Sequence, residues 1–228
     1  LISNGVFKGL VKGIHTPFIQ LLLAERLGAI LIEGDSPKGT ISFSLFYKSN
    51  GDIFNGIHIS SVDEIYVFEN KDGIDYFTPE DNHMIVLTIN KEFFLYAFDE
   101  YFAREYIPDK DGISVFKVKH NIQLESEFIE LLEYFNTHQD ILKNEKYAEL
   151  IEHHILETLF KHVSFFEENK TITYVDQNSH ILYNRLCQSI QNDINISLTC
   201  YKLKISERTA YSIFKKNYGI TPSKFILN

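Results

Sequence analysis

Residues 203–226 read LKISERTAYSIFKKNYGITPSKFI. Their spacing predicts a short helix that ends near Leu203, followed by a tight turn. Ser206 can then accept a hydrogen bond at the start of a second helix, which we predict over residues 207–217. Gly219 ends that helix, and Pro222 begins another. A short helix, a turn and a capped basic helix are typical of a helix-turn-helix unit, whose second helix lies in the major groove of DNA.

The second predicted helix has two different faces. Ala210, Ile213 and Phe214 recur at helical spacing, so we expect them to pack against the preceding helix. The other side chains face outward and are donor-rich types that contact phosphates and base edges. They are Arg208, Thr209, Tyr211, Ser212, Lys215 and Lys216. The alternative interpretation is a basic amphipathic surface helix on an ordinary helical domain.

Charge is distributed unevenly along the chain. The 228 residues include 22 basic and 31 acidic side chains, which gives a formal net charge of −9. Residues 197–228 hold six basic side chains and one acid, Glu207, so this end carries +5 and the first 196 residues carry −14. An acidic body with a basic end indicates that only this end meets a polyanion such as nucleic acid.

Two segments of the basic end, SERTAYSIFK at 206–215 and YGITPSKF at 218–225, resemble the first helix-turn-helix of AraC/XylS-family transcription regulators. The resemblance implies a DNA-binding unit with two helix-turn-helix halves joined by a long helix. The sequence ends at Asn228, where the joining helix would begin, so we expect a truncation within the DNA-binding domain. Two positions depart from the family pattern, because Ala210 replaces a large aliphatic residue and Thr199 replaces an apolar one.

Three segments near the amino terminus resemble the sensor domain of ethanolamine-operon-type regulators. They are GVFKG at 5–9, GTISF at 39–43 and FNG at 54–56. The resemblance implies that this part of the chain senses a small molecule or another signal. Aromatic strand residues are candidates for the lining of a ligand pocket, and the alternative is that they are simply core. The candidates are Phe43, Tyr47, Tyr66 and Phe68.

The amino-terminal half is patterned as short strands. Residues 40–47 place Ile41, Phe43 and Leu45 on one face and mostly polar residues on the other, which predicts a sheet with one buried side. Turn residues such as Asn50-Gly51 separate several strand candidates. Those candidates are residues 52–54, 64–69, 84–90 and 113–119, and residues 91–106 are predicted to be helical. Many short strands at close intervals favour a cupin-like barrel or a sandwich, and thus an α+β fold class.

The hydrophobic period becomes helical from Leu124 onward. One apolar face holds Leu124, Phe128, Leu131, Leu132 and Phe135, and the next holds Tyr147, Leu150, Ile151, Ile155, Leu159 and Val163. These two helices could pack on the sheet domain, on each other or on a second subunit, and we expect them to form a homodimer. A further helix is predicted over about 178–191, with Asn195 capping the short helix before Ser206.

These patterns divide the chain into four parts. We assign a sensor domain, a helical pair, a linker and a partial helix-turn-helix domain to residues 1–122, 123–166, 167–177 and 178–228. No run of eighteen apolar residues is present, so we expect no membrane partner. The two cysteines, Cys187 and Cys200, fit buried thiols in a reducing cytoplasm, which is the predicted location.

Signals for an enzyme are weak. The strand region offers single histidines rather than the His-x-His pair of a metal cupin, and the adjacent His153 and His154 diverge on a helix. Neither a phosphate-binding glycine loop nor a Gly-x-Ser-x-Gly motif is present. We therefore expect no catalytic residue, no metal and no cofactor.

The sequence predicts a sequence-specific transcription regulator that binds duplex DNA, and the resemblance implies control by a small-molecule effector or another signal. The residues predicted at the DNA are Lys202, Ser206, Arg208, Thr209, Tyr211, Ser212, Lys215 and Lys216. Arg208, Tyr211 and Ser212 are the candidates for base edges, and the lysines for phosphates. The alternative is a ligand-binding or protein-interaction module with a vestigial helix-turn-helix that does not bind DNA.

Overall fold

The computed structural model describes most of the 228 residues. The described ranges are 8–28, 30–34, 36–50, 53–55, 58–60, 62–69, 74–78, 81–107, 113–166, 170–172, 186, 195–218 and 221–226. The helix predicted for 178–191 therefore lies outside the described residues, apart from Leu186, which is helical and buried. Cys187 and the segment at 5–7 also lie outside them.

The described strands form two antiparallel sheets, and all of them except the last lie in the first 117 residues. The strands are β1 (Lys8–His15), β2 (Ile19–Leu27), β3 (Ile30–Gly34), β4 (Thr40–Ser49), β5 (Ile53–Asn55), β6 (His58–Ser60), β7 (Glu64–Phe68), β8 (Ile74–Thr78), β9 (Asn82–Asn90), β10 (Ile113–Lys117) and β11 (Lys170–Ile172). The larger sheet has the order β1-β2-β9-β4-β7-β10-β11, and the smaller one has the order β3-β8-β5-β6. The prediction of a mixed fold that begins with short strands is confirmed.

Six α-helices are described. They are α1 (Lys91–Phe102), α2 (Asn121–Thr137), α3 (Glu145–His162), α4 (Ile196–Leu203), α5 (Glu207–Tyr218) and α6 (Pro222–Ile226), with a 3₁₀ helix at Gln139–Lys143. Asn90 caps α1 by accepting a hydrogen bond from the backbone N–H of Phe93, and Asn144 caps α3 in the same way through Lys146. Helix α1 ends earlier than predicted, because Ala103 turns the chain with a left-handed backbone at φ 50°.

Strand β4 is buried on both faces. Ser42 and Ser44 are as inaccessible as Ile41, Phe43 and Leu45, so the prediction of a sheet with one buried side is wrong here. Phe43 belongs to the large core that the sheet shares with α1, α2 and α3. The opposite face is covered by residues of the smaller sheet, which a single strand's own pattern does not reveal.

A second, smaller apolar cluster lies between the two sheets. It joins residues of the larger sheet to Ile53 of β5 and Ile32 of β3. The members from the larger sheet are Ala24, Phe46, Tyr66, Phe68, Met84, Val86 and Val115. This packing is that of a β-sandwich or barrel, whose two inner faces build one core.

Helices α2 and α3 pack on each other and on the larger sheet. The predicted face of α2 is confirmed, since Leu124, Phe128, Leu132 and Phe135 are buried and Leu131 is partly buried. The face predicted for α3 is only partly right, because Tyr147 is 54% exposed and Leu150 is 65% exposed. The buried side of α3 runs through Ile151, Ile155 and Leu159, and Leu150 is rotated from it by about 100°.

Part of the predicted linker belongs to the sheet. Residues 170–172 lie within the range 167–177 and form β11, which pairs with residues 113–115 of β10. The chain therefore returns to the larger sheet after α3. The domain boundaries themselves stay a prediction.

Candidate nucleic-acid interface

Helix α4 and the turn after it take the form that the sequence predicts. The Asn195 side chain accepts a hydrogen bond from the N–H of Leu198 at 3.1 Å, which confirms its predicted role as the cap. The helix ends at Leu203, and Lys204 follows in the left-handed conformation with φ 54° and ψ 40°. The N–H of Ile205 then bonds to the carbonyl of Cys200 at 3.0 Å, so the turn is closed by its own backbone.

Ser206 starts helix α5. Its Oγ accepts a hydrogen bond from the backbone N–H of Thr209 at 3.0 Å, as expected for a serine cap. The hydroxyl of Thr209 lies 2.8 Å from the same Oγ. Ser206 and Thr209, both predicted at the DNA, therefore also hold the first turn of α5 together.

The inner face of α5 is buried as predicted. Ala210 and Phe214 have no exposed surface, and Ile213 is 9% exposed. On α4, Thr199 and Cys200 are buried. The pKa of the Cys200 thiol is raised, mainly by burial and to a lesser extent by the negative charge of Glu207. Thr199 Oγ1 has no hydrogen-bond partner among the described residues, so the polar replacement noted in the sequence leaves an unsatisfied hydroxyl.

The outer face of α5 carries exposed donors. Arg208, Thr209, Ser212 and Lys215 are exposed, and Tyr211 is 37% exposed. Lys202 is exposed on α4, five residues before α5 begins. The side chain of Lys216, the remaining predicted contact, lies outside the described residues.

Two contacts of helix α5 were not predicted. The Oη of Tyr211 lies 2.6 Å from the Oγ of Ser223 in α6, so the side chain of a predicted base reader is joined to the next helix. The hydroxyl of Ser197 in α4 donates to Glu207 Oε1 at 2.5 Å across the first turn of α5. No helical period in the sequence predicts either contact, because the partners are twelve and ten residues apart.

The four residues predicted to line a ligand pocket do not share one face. Phe43 and Tyr47 lie on the side of the larger sheet that packs on the helices, whereas Tyr66 and Phe68 belong to the cluster between the sheets. Tyr66 donates to Glu64 Oε2 at 3.0 Å. The pKa of Tyr47 is raised, mainly by burial and to a lesser extent by the negative charges of Glu25 and Glu125.

Two further features bear on the class of protein. The described residues contain no group of three or more histidine, cysteine, aspartate or glutamate side chains placed to bind a metal ion. Within the described part of the chain, no helix has the length and hydrophobicity that crossing a bilayer requires.

Comparison with known proteins finds similar solved structures but no similar sequence. No protein-family model and no curated protein sequence matches the chain. The AraC-like transcriptional activator CuxR is similar at 16% identity over 99% of this chain and 82% of that chain, with a TM-score of 0.45. ToxT from Vibrio cholerae O395 is similar at 11% identity over 96% of this chain and 77% of that chain, with a TM-score of 0.33.

A smaller solved structure is similar to part of this chain. It is the cupin domain of an XRE-family transcriptional regulator from Enterobacter cloacae, at 14% identity over 36% of this chain and 95% of that chain. Its TM-score is 0.29. All three TM-scores lie below 0.5, so none of these similarities assigns a function to this chain.

Proposed function

We propose that this chain is a sequence-specific DNA-binding transcription regulator whose helix α5 enters the major groove. The observation that carries the proposal is the division of α5 into a fully buried apolar face and an exposed polar face. Ser206 caps the helix, and α4 and α6 pack beside it. This is the geometry by which a helix-turn-helix presents one helix to base edges.

The exposed side chains divide into two roles. Arg208 and Ser212 are four residues apart and thus on the same side of α5, where they can reach base edges together. The exposed lysines, Lys202 and Lys215, suit phosphate oxygens. The +5 charge of residues 197–228 attracts the duplex, and the −14 charge of the preceding residues discourages docking through the sensor.

The test is selection of duplexes from a random pool by the 228-residue chain at low salt. Binding is then measured to a selected duplex and to a scrambled duplex of the same composition. Arg208→Ala should weaken binding of the selected duplex by about 1–3 kcal/mol and affect the scrambled one less, because Arg208 is assigned to a base edge. An equal loss on both duplexes would assign Arg208 to the backbone instead.

Arg104→Ala is the matched control. Arg104 is exposed just beyond α1, where its guanidinium lies 5.1 Å from the centre of the Phe166 ring. The substitution removes the same charge from the sensor, so the affinity for either duplex should not change. Retention of no duplex by the wild-type chain would contradict the proposal and support the alternative of a module that does not bind DNA.

We further infer that the amino-terminal sheets carry the site for a small-molecule signal, in the region between the two sheets. Tyr66 and Phe68 face this region, and Glu64 beside them is buried with its carboxylate bonded to Tyr66. Phe43 and Tyr47 face the helices, so a ligand between the sheets would contact Tyr66 and Phe68 instead.

We also propose that two copies associate through the outer face of α3. The exposed residues Tyr147, Leu150, His154, Glu157 and Lys161 recur at alternating intervals of three and four. This spacing is that of the seam along which two helices pair, and Tyr147 and Leu150 supply its apolar end. A dimer would present two reading helices to one DNA site, which a single helix-turn-helix needs for firm binding.

A further inference from the structure

Tyr211 and Ser223 join helix α5 to helix α6 through their hydroxyl groups. Tyr211 lies in the middle of α5, and its Oη is 2.6 Å from the Oγ of Ser223 at the start of α6. Tyr211 is 37% exposed and Ser223 is partly exposed, so the pair lies at the surface. Pro222, the residue before Ser223, is buried and fixes the start of α6.

The two hydroxyl groups of Tyr211 and Ser223 have two protons, and the hydrogen bond between them uses only one. Each hydroxyl offers one donor and two acceptor sites, and the bond between them consumes one donor. A phenol is a stronger acid than an aliphatic alcohol, so we assign the donor role to Tyr211. The Ser223 proton is then left for an outside acceptor, and a donor that itself accepts a hydrogen bond is strengthened by it.

The acceptor that suits this position is an anion. Lys224 follows Ser223 directly, Lys215 lies one turn after Tyr211, and both lysines are exposed. Phosphodiester oxygens are what hydroxyl and lysine donors mostly contact in complexes with DNA. A base edge would require Tyr211 to extend straight out of α5, whereas its bond to Ser223 draws the hydroxyl toward α6.

We propose that Tyr211 and Ser223 together hold one phosphate of the DNA backbone, with Tyr211 positioning the donating hydroxyl of Ser223. The inference rests on the proposed DNA-binding function. It changes the role of Tyr211 from base reading, which the sequence predicts, to backbone contact. A phosphate held between α5 and α6 fixes the register of the reading helix, and Arg208 and Ser212 then read the bases.

The test uses the wild-type chain, Tyr211→Phe and Ser223→Ala. Each binds the selected duplex, the scrambled duplex, and selected duplexes in which one phosphate at a time is a neutral methylphosphonate. The wild type should lose roughly three- to ten-fold in affinity at one particular phosphate. Each variant should bind selected and scrambled duplexes more weakly by a similar factor. At that one phosphate the methylphosphonate should weaken the variants less than it weakens the wild type, because they have lost the Ser223 hydroxyl or its positioning.

Tyr96→Phe is the control, since it removes a phenol hydroxyl from a 66% exposed tyrosine on α1 and should not change affinity. Relaxed preference at a single base pair in Tyr211→Phe would show that Tyr211 reads a base. Full methylphosphonate sensitivity in both variants would show that the pair holds no phosphate. Either result overturns the phosphate contact while DNA binding stands, and a wild-type chain that binds neither duplex overturns both proposals.

Discussion

Lys204 is the residue that sets the geometry of the turn between α4 and α5. It occupies the bend between α4 and α5 with φ 54°, and its N–H bonds to the carbonyl of Tyr201 at 3.2 Å. The left-handed region is unfavourable for a residue with a Cβ atom, and glycine is the residue that usually ends helices in this way. The lysine therefore weakens the turn that sets the angle between the two helices.

Lys204→Gly should stabilise the chain by about 1 kcal/mol, because glycine adopts this conformation without the steric cost. The measurement is urea unfolding followed by far-ultraviolet circular dichroism, since the chain has no tryptophan to report on unfolding. Lys204→Ala is the matched variant, because it also removes the charge but keeps the Cβ atom. An equal gain in both variants would assign the effect to charge rather than to the backbone.

Among the elements, the helix starts and the buried face of residues 195–218 are the parts that the sequence predicted best. Asn195 and Ser206 act on amides three residues away, and Ala210, Ile213 and Phe214 follow a single helical face. Such features depend on a few neighbouring residues, so a local pattern is enough to predict them. The same reasoning places Leu124, Phe128 and Leu132 correctly on α2.

Features that depend on distant partners were not predictable in this way. The packing of Phe46 on the second face of β4 depends on the smaller sheet, and the split of the candidate pocket residues depends on how β4 and β7 align. The contact of Tyr211 with Ser223 crosses from one helix to the next. To predict each of these features, one must know how the elements align with one another. The hydrophobic period of a single segment does not show that alignment.

A buried carboxylate connects α3 to the turn between β1 and β2. Glu152 is 2% exposed, and its Oε1 accepts a hydrogen bond from the backbone N–H of Phe18 at 2.9 Å. The ring of Phe18 stacks on Phe93 of α1, with ring centroids 4.9 Å apart. The β1–β2 turn is thus held by two helices, and Glu152 supplies its polar contact.

Glu152→Ala should lower the free energy of unfolding by about 1–3 kcal/mol, because it leaves the Phe18 N–H without its acceptor. Glu152→Gln keeps a carbonyl oxygen at the same position and should lose less. Urea unfolding of both variants measures the difference. An unchanged midpoint in Glu152→Ala would show that this hydrogen bond does not stabilise the hairpin.

At the scale of the whole molecule, a single copy of α5 in the proposed DNA-binding role offers few phosphate contacts. Affinity that depends on a handful of lysines falls steeply with salt, so a single copy would bind a duplex weakly. The proposed pairing through α3 would compensate for this weak binding, because the dimer would present two copies of α5 to one DNA site. Leu150 lies near the start of the exposed seam and is the most accessible apolar residue on α3, at 65%.

Leu150→Glu should shift the chain from dimer to monomer in sedimentation equilibrium, because the pairing would bury a carboxylate in place of the leucine at the apolar end of the seam. Val62→Glu is the matched control, since Val62 is 47% exposed in the turn before β7 and lies on no helix. The monomeric variant should also bind the selected duplex more weakly than the control does. A wild-type chain that sediments as a monomer at high concentration would contradict the pairing, and DNA binding would then have to come from one helix-turn-helix alone.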